Sequence, residues 1–143
     1  MQPLDGIRLT ASWLQDPALQ RLFDLLTSGG DEAMVVGGPV RNALLGEPVG
    51  DIDLATTVVP HEIADRLENA GEKSIPTGID HGTVTAIVDG KAFEVTTLRE
   101  DIKTDGRHAI VRFGKDWQKD AERRDLTINA LYCNRDGIVF DPV

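Results

Sequence analysis

Two aspartates, Asp51 and Asp53, are the residues of this sequence whose type and spacing best suit chemistry. In a β-strand, residues two positions apart point to the same face, so both carboxylates are expected opposite Ile52. Two carboxylates on one face repel each other unless a cation lies between them. Mg²⁺ is commonly held by one or two carboxylates together with phosphate oxygens of a substrate. The pair therefore predicts a divalent metal site.

Two adjacent glycines, Gly37 and Gly38, precede the aspartates at the end of an apolar run. Glycine lets the backbone approach a ligand closely, and Pro39 suits the first turn of a helix. Free N–H groups at a helix start favour an anion, most often phosphate. Arg41 either turns toward that anion or extends into solvent. Glycine pairs and Asp-x-Asp are each common in turns and strand edges, but their order here favours a phosphate site beside a metal site.

The patterns around these residues predict an α+β domain, with a small mixed or antiparallel sheet flanked by helices. Strand–helix–strand crossovers are too few for a doubly wound parallel sheet. The polar, irregular segment 98–109 is predicted to be a mobile loop of the kind that often carries function. Helices are predicted over 17–28, 39–45, 60–70 and 117–131, and strands over 33–36, 51–56, 73–76, 83–88, 92–97, 110–113, 131–134 and 138–140.

A β-hairpin is predicted where Asp89-Gly90 separates two β-branched runs, since Asp-Gly is a strong hairpin signal. In its second strand, Glu94 and Thr96 share one face. A lone glutamate in an amphipathic strand usually faces water. Beside the strand that carries the two aspartates, however, Glu94 becomes a candidate third carboxylate of the metal site.

Length and composition predict one globular domain, residues 1–143. The N-terminus lacks signal-peptide features, and no apolar run reaches the roughly 20 residues of a membrane span. Cys133 is the only cysteine, which excludes an internal disulfide and a cysteine–histidine zinc pattern. A reducing cytoplasm is the expected location. The net charge of −9 argues against broad, non-specific nucleic-acid binding by this chain alone.

Other common catalytic and nucleotide-binding motifs are absent. The glycine pair does not continue as the Gly-x-Gly-x-x-Gly of a dinucleotide site, and no Gly-Lys-Ser/Thr of a P-loop follows it. There is no Gly-x-Ser-x-Gly nucleophile elbow. The three histidines, His61, His81 and His108, are scattered, which gives little support to Ser–His or Cys–His catalysis.

Four separated blocks resemble the class II tRNA nucleotidyltransferases and their relatives, the bacterial poly(A) polymerases. Both groups belong to the polymerase-β-like nucleotidyltransferase superfamily, whose signature also includes the Asp-x-Asp that follows the first block. The matches run from about residue 35 to residue 141, and their common order makes the resemblance specific. The blocks are GGPVRNALLG at 37–46, FEVTTLR at 93–99, TDGRHA at 104–109 and RRDLTINAL at 123–131.

The resemblance implies a polymerase-β-like head fold and transfer of a nucleoside monophosphate from CTP or ATP to an RNA 3′-hydroxyl. CCA addition to the 3′ end of tRNA is the foremost form of that reaction. The resemblance also implies that Asp51 and Asp53 hold two Mg²⁺ ions, with Glu94 as the third carboxylate of the catalytic set. The residues that it assigns to the nucleotide are Gly37, Gly38, Arg41, Arg107, Arg124, Asp125 and Asn129.

Two departures from the family pattern limit what it implies. Asn42 stands where the family commonly has an aspartate, which weakens an ion pair expected there and leaves the metal ligands unchanged. The family continues into helical neck, body and tail domains, so this chain corresponds to the catalytic head alone. Residues that select C over A are expected in the neck, and most of the grip on tRNA in the other missing domains. For Arg124 and Asp125, a structural salt bridge is the alternative to a contact with the nucleotide.

Three other functions stay open. A poly(A) polymerase, adding adenylates to RNA 3′ ends, would share every block named above. A small-molecule nucleotidyltransferase would share the glycine pair and Asp-x-Asp, but the blocks that contain Arg107 and Arg124 argue against it. A non-catalytic nucleotide- or RNA-binding module is the alternative from another class. The presence of all three carboxylates argues against that loss of catalysis.

Overall fold

The computed structural model describes residues 2–9, 12–44, 52–78, 81–104, 108–122 and 131–141. Four α-helices lie in these ranges: α1 Pro17–Thr27, α2 Gly38–Leu44, α3 Pro60–Asn69 and α4 Trp117–Glu122. Short 3-10 turns cover Ser12–Gln15 and Ser28–Gly30. The strands are β1 Gln2–Arg8, β2 Ala33–Val36, β3 Asp53–Thr56, β4 Lys73–Gly78, β5 Thr83–Val88, β6 Lys91–Thr97, β7 Arg99–Thr104, β8 His108–Phe113, β9 Tyr132–Cys133 and β10 Ile138–Asp141.

Eight strands form one sheet in the order β1-β10-β9-β2-β3-β6-β5-β4. The pair β3–β6 is parallel, and each other neighbouring pair in this order is antiparallel. Strands β7 and β8 form a separate antiparallel ribbon. A mixed, mostly antiparallel sheet with helices confirms the predicted α+β class.

Helices α1 and α3 cover one face of the sheet. Asp16 caps α1 by accepting the Ala18 N–H at 2.9 Å, and Pro17 occupies the first turn, where its missing N–H costs nothing. Leucines and a phenylalanine at helical spacing then point from α1 into the core. The buried side chains of this face include Leu19, Leu22, Phe23, Val35, Leu54, Ile63, Leu67, Val84 and Val95.

The opposite face carries a smaller apolar cluster at one side and polar side chains at the other. Trp117 and Ala121 of α4 pack there with Met34, Val36 and Tyr132 of the central strands. Further along the same face, the side chains that β5 and β6 contribute are half-buried or exposed, and most of them are polar. The sheet register assigns the polar set of these two strands, Thr83, Thr85, Glu94 and Thr96, to this second face.

Two strands were not predicted. Of the segment 98–109, predicted to be a mobile loop, residues 99–104 form β7 and residues 108 and 109 begin β8, so that Arg99 pairs with Phe113 and Thr104 with His108. Backbone pairing does not require apolar side chains, so a polar strand such as β7 shows no hydrophobic alternation in its sequence. Strand β1 contains Pro3 and lies at the sheet edge, where proline is tolerated.

A polar cluster joins the end of α1, the start of β2 and the body of α3. The Arg66 guanidinium donates to the Asp31 carboxylate at 2.7 Å and to the carbonyl of Leu25, in the last turn of α1, at 3.1 Å. Thr57 donates its hydroxyl to the other Asp31 oxygen at 2.9 Å. Arg66 therefore satisfies helix-end carbonyls and a carboxylate at once, which fixes α3 against α1.

Acidification is expected to destabilise the fold through Asp31. Burial raises the pKa of this carboxyl, but hydrogen bonds from Arg66 and Thr57 outweigh burial, so its pKa lies below the ordinary 3.8. A depressed folded-state pKa gives stability that is present above pH 3.8 and is lost as the pH falls through the folded value. Urea unfolding free energies measured from pH 6 to pH 2.5 should fall more steeply for the wild type than for Asp31→Asn. Asp65→Asn, at an exposed position of α3, should keep the wild-type slope.

Candidate active site

Two acidic residues lie side by side on adjacent strands. Asp53 begins β3 and Glu94 lies in β6, and the parallel register makes them direct partners. Paired residues of neighbouring strands point to the same face of the sheet, here the face that helices α1 and α3 leave open. Asp53 is half-buried and Glu94 is exposed. The structure thus brings together two of the three predicted carboxylates, although the sequence separates them widely.

A cavity of about 340 Å³ opens over these carboxylates. Besides Asp53 and Glu94 it is lined by Thr85 of β5 and by Ile52, Ala92 and Phe93. Thr85 is the antiparallel partner of Glu94. Sequence reasoning missed Thr85, but the two-residue Asp89-Gly90 turn implies this register. The turn pairs Val88 with Lys91, and each residue before Val88 then pairs with the corresponding residue after Lys91, which sets Thr85 opposite Glu94.

The glycine turn lies at the same end of the sheet as Asp53. Antiparallel pairing of Val35 with Leu54 brings the end of β2 next to the start of β3. Gly37 adopts a φ of 81°, in the left-handed region that disfavours side chains, and α2 begins at Gly38. The Gly37 N–H donates to the Leu131 carbonyl at 3.1 Å, so within the protein this predicted phosphate donor is already bonded. Its conformation, rather than its own N–H, is what Gly37 contributes to the turn.

Arg41 lies half-buried in α2, one turn after the glycines. Its Nε donates to the Asn42 side-chain oxygen at 3.4 Å. The Asn42 amide, at the position where the resemblance implies an aspartate, thus accepts a hydrogen bond and offers no ion pair. Hydrogen bonds to a neutral acceptor hold a guanidinium less firmly than those to a carboxylate.

Five predicted site residues lie outside the part of the chain that the structure describes: Asp51, Arg107, Arg124, Asp125 and Asn129. The elements on either side of 123–130 are described.

A buried carboxylate lies in one of these elements. In α4, the Asp120 carboxylate, only 1% exposed, accepts hydrogen bonds from the Tyr132 hydroxyl at 2.8 Å and from the backbone N–H of Arg99 at 3.2 Å. The Tyr132 ring meets Trp117 edge-on at 5.2 Å. Sequence reasoning did not single out Asp120, because nothing local marks a carboxylate as buried.

The donor set suits a hard divalent cation. Among the described residues, no group of three or more histidine, cysteine, aspartate or glutamate side chains is placed to hold a metal. Asp53 and Glu94 supply two adjacent carboxylates, and Asp51 precedes Asp53 by two positions. Carboxylate oxygens are the ligands that Mg²⁺ prefers. Cys133 is buried in the apolar cluster on the other face of the sheet, where burial raises the pKa of its thiol to about 12.

Comparison with known proteins gives consistent matches. A family model described as "Poly A polymerase head domain" matches residues 33–143. "CCA tRNA nucleotidyltransferase 1, mitochondrial" of Homo sapiens is 46% identical over 137 residues, which cover 90% of this chain and 32% of that protein. A "CCA-adding enzyme" of Bacillus cytotoxicus is 38% identical over 122 residues, covering 84% of this chain and 30% of that protein. The chain thus spans about a third of the length of these relatives.

A solved structure shows the same fold. The Bacillus stearothermophilus CCA-adding enzyme in complex with CTP superposes with a TM-score of 0.75 at 36% identity. The match covers 90% of this chain and 30% of that one. Within the described ranges, no helix is long and apolar enough to cross a membrane.

Proposed function

Because the chain belongs to the family of poly A polymerase head domains, we propose that its protein adds CMP and AMP, from CTP and ATP, to the 3′-hydroxyl of tRNA. The family membership confirms the resemblance seen in the four sequence blocks. Relatives named CCA-adding enzymes or CCA tRNA nucleotidyltransferases support CCA addition as the reaction. The observation that carries the proposal is the pairing of Asp53 with Glu94, beside the glycine turn that ends β2.

In the proposed reaction, negatively charged substrates must approach a face of the protein that is itself negatively charged, so a cation has to lie between them. Asp53 and Glu94, with Asp51, would hold Mg²⁺, which lowers the pKa of an attacking hydroxyl and neutralises a leaving pyrophosphate when bound. The Gly37-Gly38 turn and Arg41 would orient the triphosphate, since a guanidinium fork matches phosphate oxygens. The 3′-oxygen of the RNA then bonds to the α-phosphorus while the bond from that phosphorus to pyrophosphate breaks.

The remaining nucleotide contacts are proposals by position in the matched blocks. Arg124, Asp125 and Asn129 would contact the incoming nucleotide, and Arg107 would approach its phosphates. A cytoplasmic location likewise stays a prediction, since relatives include an enzyme named as mitochondrial as well as bacterial enzymes. Contacts to the body of tRNA are assigned to parts of the protein beyond this chain, because its relatives are about three times as long.

The test is an extension assay with the complete protein. A tRNA that lacks its 3′-CCA should gain C, C and A in order when Mg²⁺, CTP and ATP are supplied, and EDTA should abolish the addition. Extension by ATP alone into a homopolymer would instead support a poly(A) polymerase, which the description of the matching family also favours. Mg²⁺-dependent nucleotide binding without any extension would contradict both and favour a non-catalytic binding module.

A further inference from the structure

The order of the strands places the carboxylates between two different polar features. Across β2-β3-β6-β5-β4, the glycine turn follows β2, Asp53 and Glu94 lie on β3 and β6, and Thr85 and Thr77 lie on β5 and β4. The carboxylates therefore have the glycine turn on one side and a pair of threonines on the other. Both features are in the described part of the chain.

The threonine pair has hydrogen-bonding capacity left for a ligand. The Thr77 and Thr85 hydroxyl oxygens lie 3.0 Å apart, and Thr85 lines the cavity over the carboxylates. Each hydroxyl carries one hydrogen, and only one of the two hydrogens can lie between the oxygens. The pair thus retains one O–H donor and further lone pairs. A group that both donates and accepts, such as a ribose hydroxyl, matches this capacity.

In-line phosphoryl transfer gives different roles to the two sides of the carboxylates, the glycine turn and the threonine pair. The attacking and leaving oxygens of a phosphoryl transfer lie on opposite sides of the phosphorus. If the triphosphate, and hence the leaving pyrophosphate, lies toward the glycine turn, the attacking 3′-hydroxyl must come from the side of β5 and β4. Resting on the proposed function, we infer that Thr85, supported by Thr77, is an acceptor-binding residue that hydrogen-bonds the 2′-hydroxyl of the terminal ribose of the RNA.

A second threonine pair on the same face offers a matched control. The Thr83 and Thr96 hydroxyl oxygens lie 3.1 Å apart, and these residues also belong to neighbouring strands. Neither is among the residues that line the cavity. Cross-strand threonine pairs stabilise sheets wherever they occur, so a purely structural role would affect both pairs alike. Only a contact with the acceptor would distinguish Thr85 from Thr83.

Thr85→Val in the complete protein tests the contact, because valine keeps the shape and the strand preference of threonine and removes the hydroxyl. Loss of one neutral hydrogen bond should raise the KM for tRNA about five-fold, with the KM for the nucleotide unchanged. Thr85→Ser, which keeps the hydroxyl, and Thr83→Val should both stay within about two-fold of wild type. Melting temperatures of all variants identify any loss of fold. If Thr85→Val melts at a much lower temperature than Thr83→Val, the KM values for tRNA are compared between Thr77→Val and Thr85→Ser instead.

An acceptor that ends in a 2′-deoxynucleotide completes the test. The wild type should lose about five-fold in KM on this acceptor, whereas Thr85→Val should lose nothing further, since each change removes the same hydrogen bond. Equal KM values for Thr85→Val and Thr83→Val, or a full additional loss on the deoxy acceptor, would overturn the inference alone. Absence of nucleotide addition by the wild type would instead overturn the proposed function on which it rests.

Discussion

Asp53→Asn is expected to lower the rate of nucleotide addition roughly a thousand-fold, because a metal ion stabilises such a transition state by several kcal/mol and needs charged ligands. The amide keeps the size of the carboxylate but removes its charge next to Glu94, its partner across β3 and β6. Relief of that repulsion should leave the fold intact. Single-turnover rates with saturating CTP and a tRNA lacking CCA, measured in the complete protein, give the effect directly.

Asp89→Asn is the control for this substitution. Asp89 is an exposed turn residue between β5 and β6 with a φ of 51°, a conformation that asparagine tolerates well. The same chemical change there should leave the rate within about two-fold of wild type. Asp51→Asn should match Asp53→Asn, although Asp51 lies outside the described residues. A folded Asp53→Asn variant with wild-type turnover would show that the metal site has been assigned to the wrong residues.

Gly137→Ala is expected to destabilise the fold by about 3 kcal/mol, through backbone strain together with a steric overlap. Gly137 has a φ of 90°, and its carbonyl accepts the Leu9 N–H at 2.7 Å, which joins β1 to the β9–β10 hairpin. A Cβ at this position would overlap the Leu9 carbonyl oxygen and approach its carbonyl carbon at 3.2 Å. Because both obstacles are backbone atoms, the strands must separate. Urea unfolding, followed by far-ultraviolet circular dichroism, measures the loss.

Gly90→Ala separates the two causes. Gly90 lies in the β5–β6 turn with a φ of 78°, and a Cβ there would meet nothing within 4 Å. This variant therefore carries the conformational cost without the overlap and should lose only about 1 kcal/mol. Equal losses for Gly137→Ala and Gly90→Ala would mean that the overlap of the new Cβ with Leu9 adds nothing to the destabilisation.

Local signals in the sequence predicted the elements that short stretches of chain specify. Asp16-Pro17 and apolar residues at helical spacing gave helix α1 correctly. The Asp89-Gly90 turn predicted the β5–β6 hairpin. It also implies the register that sets Thr85 opposite Glu94, which sequence reasoning missed. The prediction of chemistry at the glycine turn and at Asp53 likewise rests on local properties, namely residue type and spacing within one strand.

Pairing between distant strands needed the tertiary structure. No local pattern indicates that β6 lies parallel to β3 or that Glu94 pairs with Asp53, because this contact depends on how α1 and α3 pack the whole sheet. Strands β7 and β1 were missed for a related reason. Backbone hydrogen bonds hold them without an alternating apolar pattern, and a sequence shows side chains but not the partner of a strand.

Asp51-x-Asp53 and Gly37-Gly38 therefore carry a prediction of chemistry from sequence, whereas the fold supplies the neighbours of Asp53 on the adjacent strands. The side-chain period of a strand says which residues share a face, but only the sheet order says which strands lie beside it. That order sets the glycine turn and Thr85 on opposite sides of the carboxylates. Composition and periodicity carry no information on it, because strand order arises from long-range packing.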